Sequence, residues 1–258
     1  MLELDRIHCG DCLELMKEIP DKSVDMILCD LPYGTTACKW DQVIPFEPLW
    51  EEYKRIIKEH GAIVLSATQP FTSMLIVSNI KMFKYCWIWE KSVIGNIFNC
   101  KNSPQKNYED IAVFSNASIA NCAKSMMIYN PQGLKKINTI RKNAISRESD
   151  TIGTRPSRKG DYVQQFTCYP RQILNFKNDT GYHPTQKPVA LFEYLIKTYT
   201  NEGDLVLDNC IGSGTTAVAA INTNRHFIGI EKEPKYVEIA RKRIAAVPVN
   251  LSRFAEGA

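Results

Sequence analysis

The sequence lacks the features that announce several large classes of protein. No run free of charge is long enough to cross a membrane as a helix. The opening Met1-Leu2-Glu3-Leu4-Asp5-Arg6 lacks the basic and then apolar pattern of a secretory signal, so a cytoplasmic location is expected. Nine cysteines are present, at positions 9, 12, 29, 38, 86, 100, 122, 168 and 210, but they are scattered and odd in number, which argues for reduced thiols rather than a disulfide framework. The one close pair, Cys9-Gly10-Asp11-Cys12, has no second Cys or His pair at zinc-site spacing, and no metal is expected. Charge of one sign is also scarce: 32 Lys and Arg stand against 28 Asp and Glu, a formal +4 that does not by itself indicate nucleic acid. What remains is an ordinary globular composition in 258 residues, enough for one large α/β domain with an inserted segment.

Apolar runs alternate with amphipathic ones through most of the chain. Strands are expected at Arg6 to Cys9 and at residues 24–28, 62–66, 85–89, 108–114, 204–208 and 227–230. Helices are expected at residues 12–19, 46–58, 69–79, 189–199, after Gly214, and at 234–246, with Gly61 ending the second of them. Such alternation implies a doubly wound, mostly parallel sheet of seven strands. Periodicity fades over residues 115–181. Within that stretch Lys135, Lys136, Arg141, Lys142, Arg147, Arg155, Arg158 and Lys159 face only Glu148, Asp150 and Asp161, a local excess larger than that of the whole chain. A solvated loop and a phosphate-contacting insertion both account for it.

Two stretches carry chemistry. The strand at 24–28 runs into Cys29-Asp30-Leu31-Pro32-Tyr33-Gly34. Pro32 holds Leu31 extended, which fixes carbonyls beside the Asp30 carboxylate and next to an aromatic ring. Two acceptors and a flat apolar face suit a planar ring bearing an amino group, although Asp-x-Pro-x-Gly is also a plain turn signal. Near the other end, Asp208-Asn209-Cys210-Ile211-Gly212-Ser213-Gly214-Thr215-Thr216 follows a strand and opens a helix, and Glu231 ends the next strand. Gly212 and Gly214 permit a tight turn and close approach to a ligand, and Glu231 is placed to accept from ribose hydroxyls. The spacing to Ala217 also matches the dinucleotide fingerprint, which keeps NAD as a competitor; the lysine of a P-loop is missing. Only two strands follow Asp204, so the N-terminal strand, with Asp11 at its tip, is expected to complete that half of the sheet. Asp11, Glu231, Asp208 and Asp30 would then tip four neighbouring strands. Asp11 is equally suited to capping the helix after it.

The pair Asp30-Leu31-Pro32-Tyr33 and Asp208 to Thr216, in that order, resembles the amino-group DNA methyltransferases that use S-adenosylmethionine, whose catalytic motif reads (Asp/Asn/Ser)-Pro-Pro-Tyr. Catalytic motif first and cofactor motif last resembles the permuted β group, as does His183-Pro184-Thr185-Gln186-Lys187-Pro188 before the cofactor strand. The resemblance implies a circularly permuted Rossmann-like methyltransferase fold. It divides into a catalytic half at 1–114, a variable basic insertion for target recognition at 115–181 and a cofactor half at 182–258. It implies catalytic roles for Asp30, Leu31, Pro32 and Tyr33. Cofactor contacts would come from Asp11, Cys12, Thr185, Lys187, Asp208, Gly212, Gly214, Thr215 and Glu231, and DNA contacts from Lys135, Lys136, Arg141 and Lys142. Leu31 in place of the first proline, and Asn209-Cys210 in place of Pro-Phe, depart from the family pattern.

The activity that the resemblance implies is methylation of the exocyclic amine of a flipped-out base in double-stranded DNA, with no metal and no membrane involved. Asp at the first motif position favours adenine N6 over cytosine N4. The resemblance leaves room for a homodimer and for a cognate restriction endonuclease. Competing readings are an RNA or protein-amide methyltransferase, whose motif order is normally unpermuted, an NAD-dependent dehydrogenase, which leaves Asp30 to Tyr33 without a role, and a cofactor-binding protein without activity.

Overall fold

The computed structural model describes residues 2–35, 41–95, 97–120, 123–142, 161–179 and 186–248. Their contacts divide the chain into two compact units, Pro131–Arg171 and the remainder.

The larger unit is built on a sheet of eight strands among the described residues. In chain order these are β1 (Arg6–Cys9), β2 (Val24–Asp30), β3 (Ile57–Ala67), β4 (Phe83–Gly95), β5 (Lys106–Phe114), and, after the smaller unit's β6 (Lys135–Arg141) and β7 (Tyr162–Thr167), β8 (Ile173–Asn175), β9 (Leu205–Asp208) and β10 (His226–Glu231). The spatial order is β1-β10-β9-β2-β3-β5-β4-β8. Only β5 runs against its neighbours. The last two strands of the chain are seated between the first two, so chain start and chain end share one half of the sheet. Seven of these strands are the expected ones. The eighth, β8, is three residues long and pairs with β4 from within the stretch where periodicity fades.

Helices cover both faces, which is why the inner strands read as unbroken apolar runs. Met26 and Leu28 of β2 join Val64, Leu195, Val206 and Ala217 in one core. Their neighbours Ile27 and Cys29 turn to the other, with Tyr53, Ile63, Leu65 and Phe71. Each large side chain removed from water in this way contributes about 1.5–3 kcal/mol. On one side lie α1 (Cys12–Met16), α2 (Phe46–Ile56) and α3 (Phe71–Ser78), and on the other α4 (Val189–Tyr199), α5 (Thr215–Asn222) and α6 (Pro234–Ala245). Leu49, Trp50, Tyr53 and Ile56 form the buried stripe of α2. Arg55 reaches back from that helix to the carbonyls of Met16 and Ile19, both at 2.8 Å, which satisfies groups left over at the end of α1.

Several boundaries depart from the expected ones: the helix expected over 12–19 ends at Met16, the strand expected over 85–89 runs from Phe83 to Gly95, and the junction of α2 with β3 moves for a clear physical reason. The helix expected over 46–58 and ended by Gly61 stops at Ile56, and Gly61 lies inside β3. The glycine is there for close approach: a Cβ would stand 2.6 Å from the carbonyl oxygen of Asp25 on β2. The polar Lys58-Glu59-His60 run reads as a helix end because it is exposed, but Lys58 ties it to the neighbouring strand through Asp25 at 2.7 Å.

The unit Pro131–Arg171 contains the antiparallel pair β6 and β7. Every residue of β6 is exposed, so it shows none of the alternation that marks a half-buried strand. Lys135, Lys136 and Arg141 lie on it and Lys142 comes directly after it. Arg141 donates to the Gln164 side chain across the pair at 2.9 Å. The expected basic residues Arg147, Arg155, Arg158 and Lys159 lie outside the described residues.

Candidate active site

The carboxyl ends of β1, β10, β9 and β2 bring Asp11, Glu231, Asp208 and Asp30 to neighbouring positions along one rim of the sheet. A cavity of about 500 Å³ opens over this rim and touches all four, together with Tyr33 and Lys187. That volume is in the range of small-molecule sites.

In the half formed by the chain termini, the acids are held by the backbone around them. Asp11 caps α1 by accepting from the Leu13 N–H at 3.0 Å, and its second oxygen lies 3.4 Å from the exposed Lys232 ammonium. Glu231 accepts from the Gly212 N–H at 2.8 Å and the Glu233 N–H at 2.9 Å. Burial pushes its carboxyl up, and these backbone bonds oppose that rise. Asp208 accepts from the Cys210 N–H at 3.0 Å and from the Thr216 hydroxyl. Its environment offers neutral donors only, so burial dominates and pushes its carboxyl up to about 7. Gly214, the residue before α5, has φ +87 and faces Ala240, whose Cβ a side chain there would meet at 3.0 Å. The next residue, Thr215, begins α5 and is bonded by Arg243 at 3.1 Å.

The departures at Asn209 and Cys210 are absorbed by packing. The Tyr53 hydroxyl donates to the Asn209 side chain at 2.6 Å. Cys210 sits with Cys12 and Cys29, whose thiols are all pushed above the ordinary range: for Cys12 chiefly by its bond to Cys210, for Cys29 chiefly by burial. Thiols held neutral in this way are poor nucleophiles.

In the other half, carboxylates are held by lysines from distant parts of the chain. Asp30 accepts from the Tyr33 hydroxyl at 2.6 Å through one oxygen and from the Lys187 ammonium at 2.6 Å through the other. Each oxygen keeps a second acceptor position. Lys187, 6% exposed, also pairs with Glu109 at 3.2 Å, and Glu109 pairs with Lys91. The result is a chain of alternating charge whose two inner members are buried: Asp30, Lys187, Glu109, Lys91. Burial pushes Glu109 up, but Lys187 and Lys91 outweigh it and hold the carboxyl below its usual range. Burial pulls Lys187 down, and Asp30 and Glu109 reverse that, so the ammonium stays charged. The Tyr33 ring lies 5.2 Å from Phe71, centroid to centroid, with the Lys187 ammonium 5.8 Å from its own centroid. Asp41, which is buried, clamps the turn after the motif by accepting from the Gly34 and Thr35 N–H groups, both at 2.9 Å.

Of the residues singled out in the sequence, Asp11, Cys12, Asp30, Leu31, Pro32, Tyr33, Lys187, Asp208, Gly212, Thr215 and Glu231 all line the one cavity. Gly214 sits directly before Thr215 and is held against α6. Thr185 lies outside the described residues. Lys187, read as a cofactor contact, has its ammonium on Asp30. Lys135, Lys136, Arg141 and Lys142 belong to the other compact unit. Sequence pattern alone does not single out Glu109, Lys91 or Asp41. The one signal for Glu109 is an acid placed two residues before the apolar run of β5.

A family model described as DNA methylase matches residues 24–242. Type II methyltransferase M.HpaI of Haemophilus parainfluenzae is 28% identical over 252 residues, which cover 93% of this chain and 74% of the relative. Type II methyltransferase M2.MboI of Moraxella bovis is 26% identical over 275 residues, covering 96% and 90%. Among solved structures, PvuII DNA methyltransferase, described as cytosine-N4-specific, superposes with a TM-score of 0.66 at 15% identity, covering 96% of this chain and 88% of that one. The M1.HpyAVI-SAM complex superposes with a TM-score of 0.60 at 24% identity, covering 92% and 98%. Both likenesses are of fold.

Proposed function

The chain belongs to the DNA methylase family, matched over residues 24–242, and from that premise we propose that it moves a methyl group from S-adenosylmethionine to the N6 amine of an adenine flipped out of duplex DNA. The family assignment itself covers DNA amino-methyltransferases of both the N6-adenine and N4-cytosine kinds. The observation that carries the finer reading is Asp30, the aspartate at the first position of the catalytic motif, placed with Leu31, Pro32 and Tyr33 on the cavity wall.

The cavity fits the cofactor by volume and by donor set. Glu231 is an acceptor suited to ribose hydroxyls, Asp11 one suited to an amino group, and the Gly212–Thr215 turn allows close backbone approach. When bound, the cofactor supplies an electrophilic sulfonium methyl. The remaining work falls to the chain's own residues. An exocyclic amine is a weak nucleophile because its lone pair is delocalised into the ring. The Asp30 carboxylate and the Leu31 carbonyl accept from its N–H groups, which favours a tetrahedral nitrogen and stabilises the positive charge that develops there. Tyr33, tethered to Asp30, offers its ring to the base. Lys187 fixes the carboxylate through one oxygen and stays charged in doing so.

The test is transfer of labelled methyl groups to unmethylated genomic DNA, followed by nucleoside mass spectrometry. Label in N6-methyladenine supports the reading. Label in N4-methylcytosine keeps the site and replaces the base, and label in neither overturns the assignment of substrate. Lys135, Lys136 and Arg141 belong to this reading as phosphate contacts of the smaller unit. Changing all three to Gln should flatten the slope of log affinity for DNA against log salt by about 2 to 3. An unchanged slope removes them from the interface.

A further inference from the structure

The strand pair β4 and β5 extends well past the rim that carries the site. Across the sheet, Asp30 pairs with Ser66, Ser66 with Ile111, and Ile111 with Trp87, so Trp87 stands level with Asp30. The ladder continues beyond that level to Glu90 opposite Tyr108 and, after an irregularity in β4, resumes with Gly95 opposite Lys106. Five residue steps along β5 lead from Lys106 to Ile111, so the arm reaches roughly 16 Å beyond the rim at ordinary strand rise. Lys91 and Glu109 near its base, and Lys106 at the outer end of the paired strands, line the cavity.

The composition of this arm is unusual for a solvent-facing element. Val93, Ile94 and Ile97 are exposed and Phe98 is fully so. A soluble chain gains nothing by holding four such side chains in water on one projection. The same stretch, from Lys91 to Asn107, contains three lysines and no acid. Lys91 is paired with Glu109, whereas Lys101 and Lys106 are exposed with no ion-pair partner among the described residues. An apolar tip on an outer stretch whose charges are all basic, with the acids Glu90, Glu109 and Asp110 confined to the arm's base, suits a polyanion whose interior is apolar. A duplex opened at one base step is such a partner: phosphates for the lysines and the faces of unstacked bases for the tip. A protein partner would leave the uniform sign of the outer stretch, residues 91–107, without a use.

We propose that the β4–β5 arm is a wedge that enters the duplex at the target step, with Phe98 and Ile97 occupying the space left by the base that turns into the cavity and Lys101 and Lys106 holding the flanking phosphates. This rests on the reading of the protein as a DNA amino-methyltransferase. It adds the element that opens the duplex. The wedge offsets part of the cost of unstacking the target, a cost that is smaller when the target is mispaired.

The experiment uses the full chain, its Phe98→Ala variant, and short duplexes carrying the site that the wild-type protein methylates in genomic DNA. One duplex is fully paired, and in the other the target base faces a mismatch. Phe98→Ala should slow methylation of the paired duplex by about tenfold or more and that of the mismatched duplex by about threefold or less. Melting temperature and cofactor affinity should be unchanged, because Phe98 is exposed and outside the cavity wall. Equal rates for variant and wild type on the paired duplex overturn the wedge. So does an equal loss on both duplexes, which would make the tip a general contact. A variant altered only in its state of association would make the tip a protein contact. Wild-type protein that methylates no DNA overturns instead the reading on which the wedge rests, and the two failures are told apart by that arm alone.

Discussion

The two halves of the sheet's rim solve the same problem, that of keeping carboxylates in a buried cavity, by different means. On the side of β10 and β9, Glu231 and Asp208 accept from N–H groups and a hydroxyl within a few residues or one strand of themselves, while Asp11, at the exposed corner of this half, adds the Lys232 ammonium at 3.4 Å to its bond from Leu13. On the side of β2 and β5, Asp30 and Glu109 are held by lysines that lie 157 residues from Asp30 in one case and on the neighbouring β4 in the other. The electrostatic outcome differs accordingly. Burial without a cation raises Asp208 to about 7, whereas burial between two cations leaves Glu109 below its usual range. Neutral donors make a cradle for a ligand's own polar groups. Ion pairs fix a carboxylate in position before any substrate arrives, which is what a group facing a developing positive charge requires.

The sharpest way to break this contrast is at Asp30. Asp30→Ala should lower the rate of methyl transfer at least about 10²- to 10³-fold, as expected for removal of a preorganised transition-state acceptor, while cofactor affinity by calorimetry stays within severalfold. A variant with undiminished rate would show that the ion-paired half is structural. Next comes Lys187→Met, which deprives two carboxylates of a shared buried cation. Breaking a buried pair in this way costs about 3–5 kcal/mol, with the lower end expected because Lys91 still serves Glu109. Urea unfolding measures it. A loss under about 1 kcal/mol would place Lys187 among the pairs of little weight.

The cradle half is tested by Asp208→Asn. With its pKa raised in the folded chain above the ordinary aspartate value, Asp208 favours folding at low pH. That contribution is present below about pH 4 and is lost as pH rises to about 7. The variant cannot ionise, and its single amide oxygen keeps one of the two bonds that the carboxylate oxygens accept from Cys210 and Thr216; it should therefore gain on the wild type as pH rises across this window and hold the gain above it. One pH unit of this window corresponds to about 1.36 kcal/mol, so the gain is at most about 4 kcal/mol. A difference in unfolding free energy that is flat between pH 4 and 8 would mean that the carboxyl is not held as its neutral surroundings imply.

The same contrast explains what could be read in the sequence. Asp30, Asp208 and Glu231 each end a strand and Asp11 follows one by two residues, so their place on the rim follows from local pattern and from the strand count of the C-terminal half. Glu109 and Lys91 are equally part of the cavity, yet β5 runs the other way and brings its acid to the rim at the start of a strand rather than the end. Lys187 stands in a motif with a cofactor role attached, and only tertiary structure shows its ammonium on Asp30. Gly61 resembles a helix stop because chain punctuation and close strand packing both select glycine. The strands β6 and β7 leave little trace, since exposed strands need no alternation.

The smallest effect decides a question that the sequence leaves open at Asp11. As an N-cap, Asp11 bonds the Leu13 N–H, and its loss in Asp11→Ala should cost about 1 kcal/mol. Asp11→Asn keeps an oxygen for the cap and removes the charge, so stability should return to that of the wild type. Cofactor affinity need not return with it. If Asn restores stability while affinity stays several times weaker, the carboxylate acts as a ligand as well as a cap, and the cradle uses its charge. If Asn restores both, the carboxylate's part at this corner of the cavity is confined to starting α1.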